Sequence, residues 1–334
     1  MKPLTHKTVL VALLLASTLF NACKKSEPTV TPVTNTTPQT YGSLAAFYSQ
    51  NQAPLQEYTI NAGTGGSFTT QQGTVVKIPA NVFVNSSGGT ITGTVTVAFQ
   101  DIYKKSDMLM SGYTPMLYYG QAMNSGGEFY IIAKSGDSIV NLNGITPITI
   151  TQPLNGWPSD KNMSPFIKAQ AGLGTSVLPK TWIFSSDSTA CAVNVNPTNY
   201  VFSLYTFNTP VDSGSWCNSD NSKYFNAYTQ TNFTIQTTDT TFPEFTTDVF
   251  LLFNGVNSMV HVYENYGEPQ GKFPYSYAPL GLNCTVVAVA VDSKGNLNSA
   301  FVPNTTITAN GTVNFTLTPT TVAAFKTQLA IYNH

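Results

Sequence analysis

Short segments in which apolar and polar side chains alternate recur from about residue 55 onwards, and this alternation constrains the fold more than any other feature. In the clearest segment, Val95, Val97 and Phe99 alternate with threonine or alanine, so that one face is apolar and the other polar. Clusters of Asn, Ser, Asp and Gly, as at 85–89 and 292–296, separate the segments and favour turns. Frequent short strands with such turns are typical of sandwiches and barrels. The sequence therefore predicts an all-β fold.

The length of the chain predicts two β-sandwich domains in tandem. Of its 334 residues, roughly 290 remain after the N-terminal segments described below, which is more than one sandwich usually needs. We place the first domain at 51–185 and the second at 195–334, on either side of a polar segment. Near the end, Val322, Phe325 and Leu329 recur at three- and four-residue spacing. This spacing predicts a short C-terminal helix, capped by a threonine at 320 or 321, with one apolar face.

The N terminus has the pattern of a lipoprotein signal peptide, which we predict over residues 1–22. Lys2 and Lys7 form a positively charged segment before an apolar stretch at Val9–Phe20. The stretch has the length of a secretory signal and is too short to span a bilayer. The stretch leads to Cys23, and the sequence Leu-Phe-Asn-Ala-Cys resembles a bacterial lipoprotein box. Acyl chains such as palmitate on Cys23 would anchor the mature protein in a membrane. The alternative is an ordinary signal peptide or anchor helix that ends at Cys23.

Residues 23–50 begin with a stretch made mostly of Thr, Pro, Val and Asn, without the periodicity of a helix or strand. Pro28, Pro32 and Pro38 favour extended conformations. We therefore predict a flexible Thr/Pro-rich tether over 23–50 that links a lipid anchor in the outer membrane to the folded domains. Export signals in similar lipoproteins place acidic residues soon after the cysteine, and here only Glu27 is available. The sequence is therefore compatible with both a periplasmic and a cell-surface location.

Several segments follow a recognisable pattern, and in the first half they are Tyr58–Gly63, Thr74–Phe83, Gly93–Val97, Asp101–Met108 and Gly126–Ile131. They resemble the amino-terminal module of a family of Bacteroidota lipoproteins of unassigned function. The Ile-Pro-Ala-Asn-x-Phe sequence within them is also similar to ZU5-like β-sandwich modules, which act in protein association. In the second half, Trp216–Asp220 resembles a segment of the same lipoproteins, and the remainder resembles an immunoglobulin-like sandwich. The resemblance implies a ZU5-like domain at 51–185, an immunoglobulin-like domain at 195–334 and an extracytoplasmic location, and it assigns no catalytic residue.

Charged side chains are scarce, and this scarcity excludes several classes of function. The chain has 15 basic and 16 acidic residues, and every basic residue is a lysine. Arginine is the usual bidentate partner of phosphate and of guanine, so its absence argues against nucleic-acid binding. Of three histidines, His6 lies in the predicted signal peptide, which argues against a histidine-rich metal site. We therefore expect no metal, no cofactor and no nucleic-acid partner.

The cysteines beyond Cys23 are Cys191, Cys217 and Cys284. An odd number in a compartment that permits disulfides allows one bridge and one free thiol. We expect Cys217 to pair with Cys284 because both lie in the predicted second domain. A catalytic cysteine would need a base, and the candidate, His261, alternates with two valines. We interpret His261 as a solvent-facing or hydrogen-bonded structural residue.

Two classes of function remain. The first is a non-catalytic binding or structural module for a protein or a glycan, because the common catalytic motifs are missing from the sequence. The alternative is a hydrolase such as a glycosidase, whose two carboxylates come together only in the fold. Asp101, Asp107 and Glu128 are the candidates for such a pair, since they lie close together in the chain. Ordinary surface or turn positions would leave them without a catalytic role.

Tyrosines in two segments that contain Gly and Pro are the candidate ligand-binding residues. Loops at the ends of sandwiches commonly carry recognition. An exposed tyrosine offers a rigid ring and a hydroxyl group, which suit stacking on a sugar or anchoring a protein. The alternative is that these rings cover the edge of the core. The candidates are Tyr113, Tyr118, Tyr119, Tyr266, Tyr275 and Tyr277.

Three triplets that begin with aspartate resemble the O-glycosylation motif of secreted Bacteroidota proteins. Their acceptor residues are Ser138, Ser188 and Thr240. In a chain so rich in serine and threonine, about one such match is expected by chance. The intact mass of the native protein tests this prediction.

Overall fold

The computed structural model of the protein describes residues 39–168, 180–207, 215–239, 241–243, 246–264 and 269–334. The predicted signal peptide, Cys23 and the tether up to residue 38 lie outside the described residues. From Gln39 to His334 the chain clusters into one compact unit.

Most of the described residues that have regular structure lie in strands, which confirms the all-β class. The alternating pattern decides which face is buried, since Val95, Val97 and Phe99 are all fully buried. The first twelve strands are β1 (Gln56–Asn61), β2 (Gly66–Thr69), β3 (Val75–Ile78), β4 (Phe83–Val84), β5 (Thr94–Ile102), β6 (Tyr113–Leu117), β7 (Asn124–Ser135), β8 (Ser138–Ile139), β9 (Asn141–Leu142), β10 (Ile148–Pro153), β11 (Ser164–Lys168) and β12 (Lys180–Phe184). The later strands are β13 (Cys191–Val195), β14 (Asn199–Leu204), β15 (Ser215–Asn221), β16 (Gln230–Gln236), β17 (Thr247–Phe253), β18 (Met259–Val262), β19 (Lys272–Pro279), β20 (Asn283–Val291), β21 (Leu297–Thr306), β22 (Gly311–Asn314) and β23 (Thr318–Pro319).

Helices are short in the described part of the chain. They are α1 (Leu44–Asn51), α2 (Lys105–Ser111), a 3₁₀ helix (Tyr224–Ala227) and α3 (Val322–Ala330). Within the described ranges, none of them has the length and apolar character needed to cross a bilayer. Helix α3 confirms the expected C-terminal helix: the Thr321 side chain accepts a hydrogen bond from the Ala324 amide, and Phe325 and Leu329 are buried.

Helix α1 lies in the segment expected to be a flexible tether. Ser43 caps it by accepting a hydrogen bond from the Ala46 amide, and Phe47 and Tyr48 are buried on the folded domains. The Tyr41 amide also donates to the Gly295 carbonyl at 2.8 Å. The expectation of a tether up to residue 50 is therefore wrong for its last ten residues, because their aromatic side chains bury enough apolar area to dock the segment.

The first sandwich consists of two facing sheets. The larger sheet has the order β1-β5-β7-β15-β11-β12-β6, with β8 added beside β7, and the smaller has the order β13-β14-β10-β3-β2. Apolar side chains from both sheets form one core, which includes Val76, Val97, Phe129, Ile150 and Phe202. The small pair β4-β9 covers one end of this core through Phe83 and Leu142.

The second sandwich packs the sheet β19-β16-β22 against the sheet β18-β17-β20-β21-β23. Its core includes Phe233, Ile235, Leu251, Val286 and Phe273. Strand β20 is buried at every position after Asn283, because its other face also packs against apolar side chains. Burial on both faces explains its nearly continuous apolar run.

The boundary between the sandwiches differs from the expected one. Strands β13, β14 and β15, which span residues 191–221, all pair within the first sandwich. A boundary at 185–195 is therefore wrong, and the change of sandwich comes after Asn221. The reason is long-range pairing: β15 lies between β7 and β11, and nothing in its local sequence specifies those partners.

A third cluster of apolar side chains joins the two sandwiches. It combines the outer face of the β17–β20 sheet with residues of α1, α2 and α3 and of the strands β6 and β12. Phe47, Met108, Trp182, Leu252 and Phe325 are fully buried in it. We call this cluster the shared core.

Candidate functional site

A cavity of about 640 Å³ lies where the two sandwiches meet. The first sandwich contributes the start of β7, the loop at 154–163 and Tyr200 of β14, and the second contributes Tyr224 and the turn at 255–257. The volume falls within the range of about 300–1,000 Å³ that is typical of small-molecule sites.

Four aromatic residues are among those that line the cavity: Tyr103, Trp157, Tyr200 and Tyr224. Tyr103 is fully buried, its hydroxyl lies 2.5 Å from the Thr74 hydroxyl, and burial raises its pKa above the ordinary value. Trp157 and Tyr224 are only partly buried. Their rings are therefore accessible to a ligand.

Asp160 provides a carboxylate at the cavity whose orientation is fixed by its neighbours. Its Oδ2 atom accepts hydrogen bonds from the side-chain amides of Asn124 and Asn221, each at 2.9 Å. Its Oδ1 atom accepts from the Asn162 amide at 2.9 Å, and its own amide donates to the Tyr200 hydroxyl at 2.8 Å. Among the described residues that line the cavity, Asp160 is the one carboxylate.

Two glycines at the start of β7 allow the tyrosine rings to approach the backbone. A Cβ atom at Gly126 would lie 2.6 Å from the Tyr200 ring, and one at Gly127 would overlap the Tyr103 ring. Gly127 also has a φ of 120°, which residues other than glycine rarely adopt. The Gly-Gly pair therefore shapes the inner wall of the cavity.

The structure brings three of the predicted tyrosines together on the surface. Tyr118, Tyr119 and Tyr277 are 61%, 45% and 38% exposed. The ring centroids of Tyr118 and Tyr119 lie 5.1 Å apart, and those of Tyr119 and Tyr277 lie 5.9 Å apart. We call these three residues the tyrosine patch. Gln121 links it to the 3₁₀ helix: it accepts from the Tyr119 hydroxyl and donates to Asn226, both at 3.0 Å.

Two other predicted tyrosines are not surface residues. Tyr113 is fully buried in the shared core, where its ring centroid lies 3.8 Å from that of Trp216. Tyr275 is buried in the second core. Burial raises the pKa of both phenols. The ligand-binding prediction is therefore wrong for this pair, because their rings fill apolar space, and Tyr266 lies outside the described residues.

The expected disulfide is not formed. Cys217 and Cys284 are both unbridged and buried. Cys217 packs in the first core and Cys284 in the second, so the prediction, which placed both in one domain, is wrong. Burial raises the pKa of the Cys284 thiol to about 12 and also raises that of Cys217, which makes both thiols poor nucleophiles. Cys191 is buried in the first core.

The three predicted carboxylates do not meet at the cavity. Asp101 is buried between the sheets of the first sandwich, where its Oδ2 atom accepts hydrogen bonds from Thr70 and Thr74 at 2.6 Å. Glu128 is fully buried on the neighbouring strand, opposite Ile102. Asp107 is half-buried in α2, where desolvation raises its pKa. None of the three is among the residues that line the cavity in the described part of the chain.

His261 is a buried, hydrogen-bonded residue, as one of the two predicted interpretations requires. It is 5% exposed, and its Nε2 atom lies 3.0 Å from Oδ1 of Asp248. The Tyr48 hydroxyl donates to the other oxygen of Asp248 at 2.8 Å. This contact ties helix α1 to the second sandwich. The solvent-facing alternative is wrong.

Two of the predicted glycosylation acceptors, Ser138 and Ser188, are exposed. Thr240 lies outside the described residues. In the described residues, no group of three or more His, Cys, Asp or Glu side chains is arranged to hold a metal ion.

Comparison with protein-family models, with curated proteins and with solved structures gave no match. Sequence reasoning missed Asp160 and Trp157. The available signal was a Trp, two Asn and an Asp within the Gly- and Pro-containing stretch at 155–162. This composition is unusual for a loop that only connects two strands.

Proposed function

We propose that this protein is a lipid-anchored extracytoplasmic module that binds a carbohydrate without catalysis, in the cavity between its two sandwiches. The observation that carries this proposal is the lining of the cavity. It combines aromatic rings, several asparagines and one oriented carboxylate with two lysines, Lys161 and Lys223.

This lining matches the chemistry of a sugar. The apolar faces of a sugar ring stack on aromatic side chains, and its hydroxyl groups exchange hydrogen bonds with amides and carboxylates. Trp157 and Tyr224 supply the ring faces, and Asp160 supplies an acceptor whose position is already fixed. A preset acceptor lowers the entropy lost on binding.

The tyrosine patch extends the same proposal beyond the cavity. The 3₁₀ helix begins at Tyr224, which lines the cavity, and contains Asn226, which bonds the Gln121 side chain beside the patch. A longer glycan that leaves the cavity beside Tyr224 would also contact the tyrosine patch. A protein ligand is the alternative occupant of the patch.

The anchor and location are proposed from the sequence. A lipid on Cys23 would hold the protein in the outer membrane, with the sandwiches on the periplasmic or cell-surface side.

The geometry favours binding over hydrolysis. A glycosidase of the common type needs two carboxyl groups on either side of the scissile bond. The described residues of the cavity supply Asp160 alone, and the buried Asp101 and Glu128 are withdrawn into the protein.

A glycan array followed by calorimetry tests the proposal. We expect the wild-type full chain to bind oligosaccharides, and we expect Trp157→Ala and Asp160→Asn each to weaken binding at least tenfold, a loss of about 1.4 kcal/mol. Tyr58→Ala is the matched control, because Tyr58 is a partly exposed tyrosine that stacks on Phe68 outside the cavity. The proposal fails if no carbohydrate binds, or if binding survives both cavity substitutions.

Fractionation of cells tests the anchor. We expect the wild-type chain in the membrane fraction and Cys23→Ala in the soluble fraction, with Cys191→Ala as the control that removes a different cysteine. Equal membrane association of Cys23→Ala and the wild-type chain would contradict lipid attachment at this residue.

A further inference from the structure

Lys105 is a buried cation directly behind the cavity. It is the first residue of α2 and is 1% exposed. Its Nζ atom donates a hydrogen bond to the Phe253 carbonyl at 2.6 Å and lies 5.2 Å from the centroid of the Trp157 ring. The distance to the ring is that of a cation–π contact.

The surroundings of Lys105 do not neutralise its charge by an ion pair. Among the described residues, the one contact between an acidic side chain and a basic or histidine side chain at ion-pair distance joins Asp248 to His261, and Lys105 has none. Desolvation lowers the pKa of Lys105 from 10.5 to about 8, so burial of the ammonium group costs folding free energy. A methionine of similar length would fill the space without this cost, so the ammonium group is not needed for packing.

The contacts of Lys105 lead to two walls of the cavity. Trp157 belongs to the loop that forms one wall. Phe253 ends β17 and precedes the turn whose residues 255–257 form another wall. The far end of that turn is fixed separately, since the Asn257 side chain donates to the carbonyls of Tyr103 and Ser125 at 3.1 and 2.9 Å.

We infer that Lys105 is a positioning residue for the cavity: its ammonium group holds the Trp157 ring and the 254–258 turn in fixed relative positions. One face of the ring covers the ammonium group, and the ring is thereby held in place as a wall for a stacking ligand. The role in ligand binding rests on the proposed function. The positioning of the Trp157 ring is independent of the proposed function.

Fluorine NMR of the full chain labelled with 5-fluorotryptophan tests the inference without any carbohydrate. The chain has three tryptophans, and Trp157→Phe assigns the resonance of Trp157. We expect Lys105→Met to shift this resonance and to broaden it at least twofold, because the ring loses its cationic partner. The buried Trp182 serves as the internal control, with an unchanged resonance. An unchanged Trp157 resonance in Lys105→Met would overturn the inference.

A second measurement keeps the test valid if Lys105→Met does not fold. Acetic anhydride modifies accessible amines, and mass spectrometry reports the rate at Lys105. We expect Trp157→Ala to raise this rate at least tenfold over the wild-type chain, because the ring that separates the ammonium group from the cavity is gone. Tyr118→Ala is the control and should leave the rate unchanged. Equal rates in all three proteins would overturn the inference, and neither measurement depends on finding a carbohydrate ligand.

Discussion

The two sandwiches differ in what they bury. The second has an almost entirely apolar core. Among its described residues, His261 is the one buried side chain of the Asp, Glu, Lys and His types. The first sandwich and its attached helix α2 bury Asp101, Lys105, Glu128 and Asp220. The cavity lies at the edge of this polar half.

This difference indicates that the two sandwiches contribute differently to stability and to ligand binding. Apolar burial stabilises a fold by roughly 25 cal/mol for each Å² removed from water, whereas a buried charge usually costs stability unless it is well paired. The second sandwich and the shared core therefore supply stability. The first sandwich and α2 give up part of this stability to bury ionisable side chains, of which Lys105 contacts the cavity wall through Trp157.

The largest predicted effect comes from the shared core. Phe325 is fully buried there and contacts Phe47 and Phe301. We expect Phe325→Ala to lower the free energy of unfolding by about 3–5 kcal/mol in urea denaturation. Because the shared core joins both sandwiches, one cooperative transition should shift as a whole. Ile331→Ala is the control, since Ile331 is 70% exposed and should change stability by less than about 0.5 kcal/mol. Two transitions, of which only one shifts, would contradict the shared core.

The next effect concerns the buried lysine and depends on pH. The pKa of Lys105 is lowered from 10.5 to about 8 in the folded protein, which corresponds to a cost of about 3 kcal/mol. Below pH 8 both states carry the proton and the full cost is present. Between pH 8 and 10.5 the unfolded state holds more protons, so stability rises with pH.

Lys105→Met tests this pH dependence. We expect the variant to be more stable than the wild-type chain below pH 8 and the difference to shrink towards pH 10.5, as measured by urea denaturation at each pH. Lys104→Met is the control, because Lys104 is exposed. A difference that does not change with pH would show that the charge of Lys105 carries no cost.

Asp220 should have a smaller effect, with the opposite pH dependence. It is fully buried, desolvation raises its pKa well above 3.8, and its Oδ2 atom accepts from the Asn218 side chain at 2.6 Å. Above pH 3.8 the unfolded state releases a proton that the folded state retains, so stability falls as pH rises towards the folded pKa. We expect Asp220→Asn to remove this decline and to raise stability at pH 7, as measured by urea denaturation across this pH range. A decline of equal slope in the variant would contradict the assignment.

The smallest effect on stability is expected at the tyrosine patch. Tyr118 is 61% exposed, so Tyr118→Ala should change the free energy of unfolding by less than about 0.5 kcal/mol. The same substitution should weaken binding of a long glycan but leave binding of a short one, confined to the cavity, unchanged. Calorimetry with oligosaccharides of increasing length measures this difference. Equal losses for all lengths would place the patch inside the primary site.

Local sequence patterns predicted the strands, the C-terminal helix and the buried face of each. Val95, Val97 and Phe99 are buried as their alternation requires, and Phe325 and Leu329 face the core from the predicted C-terminal helix. The tyrosine segments illustrate the limit of such patterns. Tyr113 and Tyr118 belong to the same Gly- and Pro-flanked stretch, yet one fills the shared core and the other is exposed, because packing partners far away in sequence decide the difference.

The sequence by itself determined the β class, the terminal helix and the scarcity of charge, because side-chain alternation and composition are local properties. Only the tertiary structure decided the domain boundary, the unbridged cysteines and the cavity. Strand β15 inserts between β7 and β11. This pairing places Asn221 opposite Asn124, and both side chains donate to Asp160. Backbone hydrogen bonds between strands are the same for most side chains, so the sequence of one strand does not identify its partners.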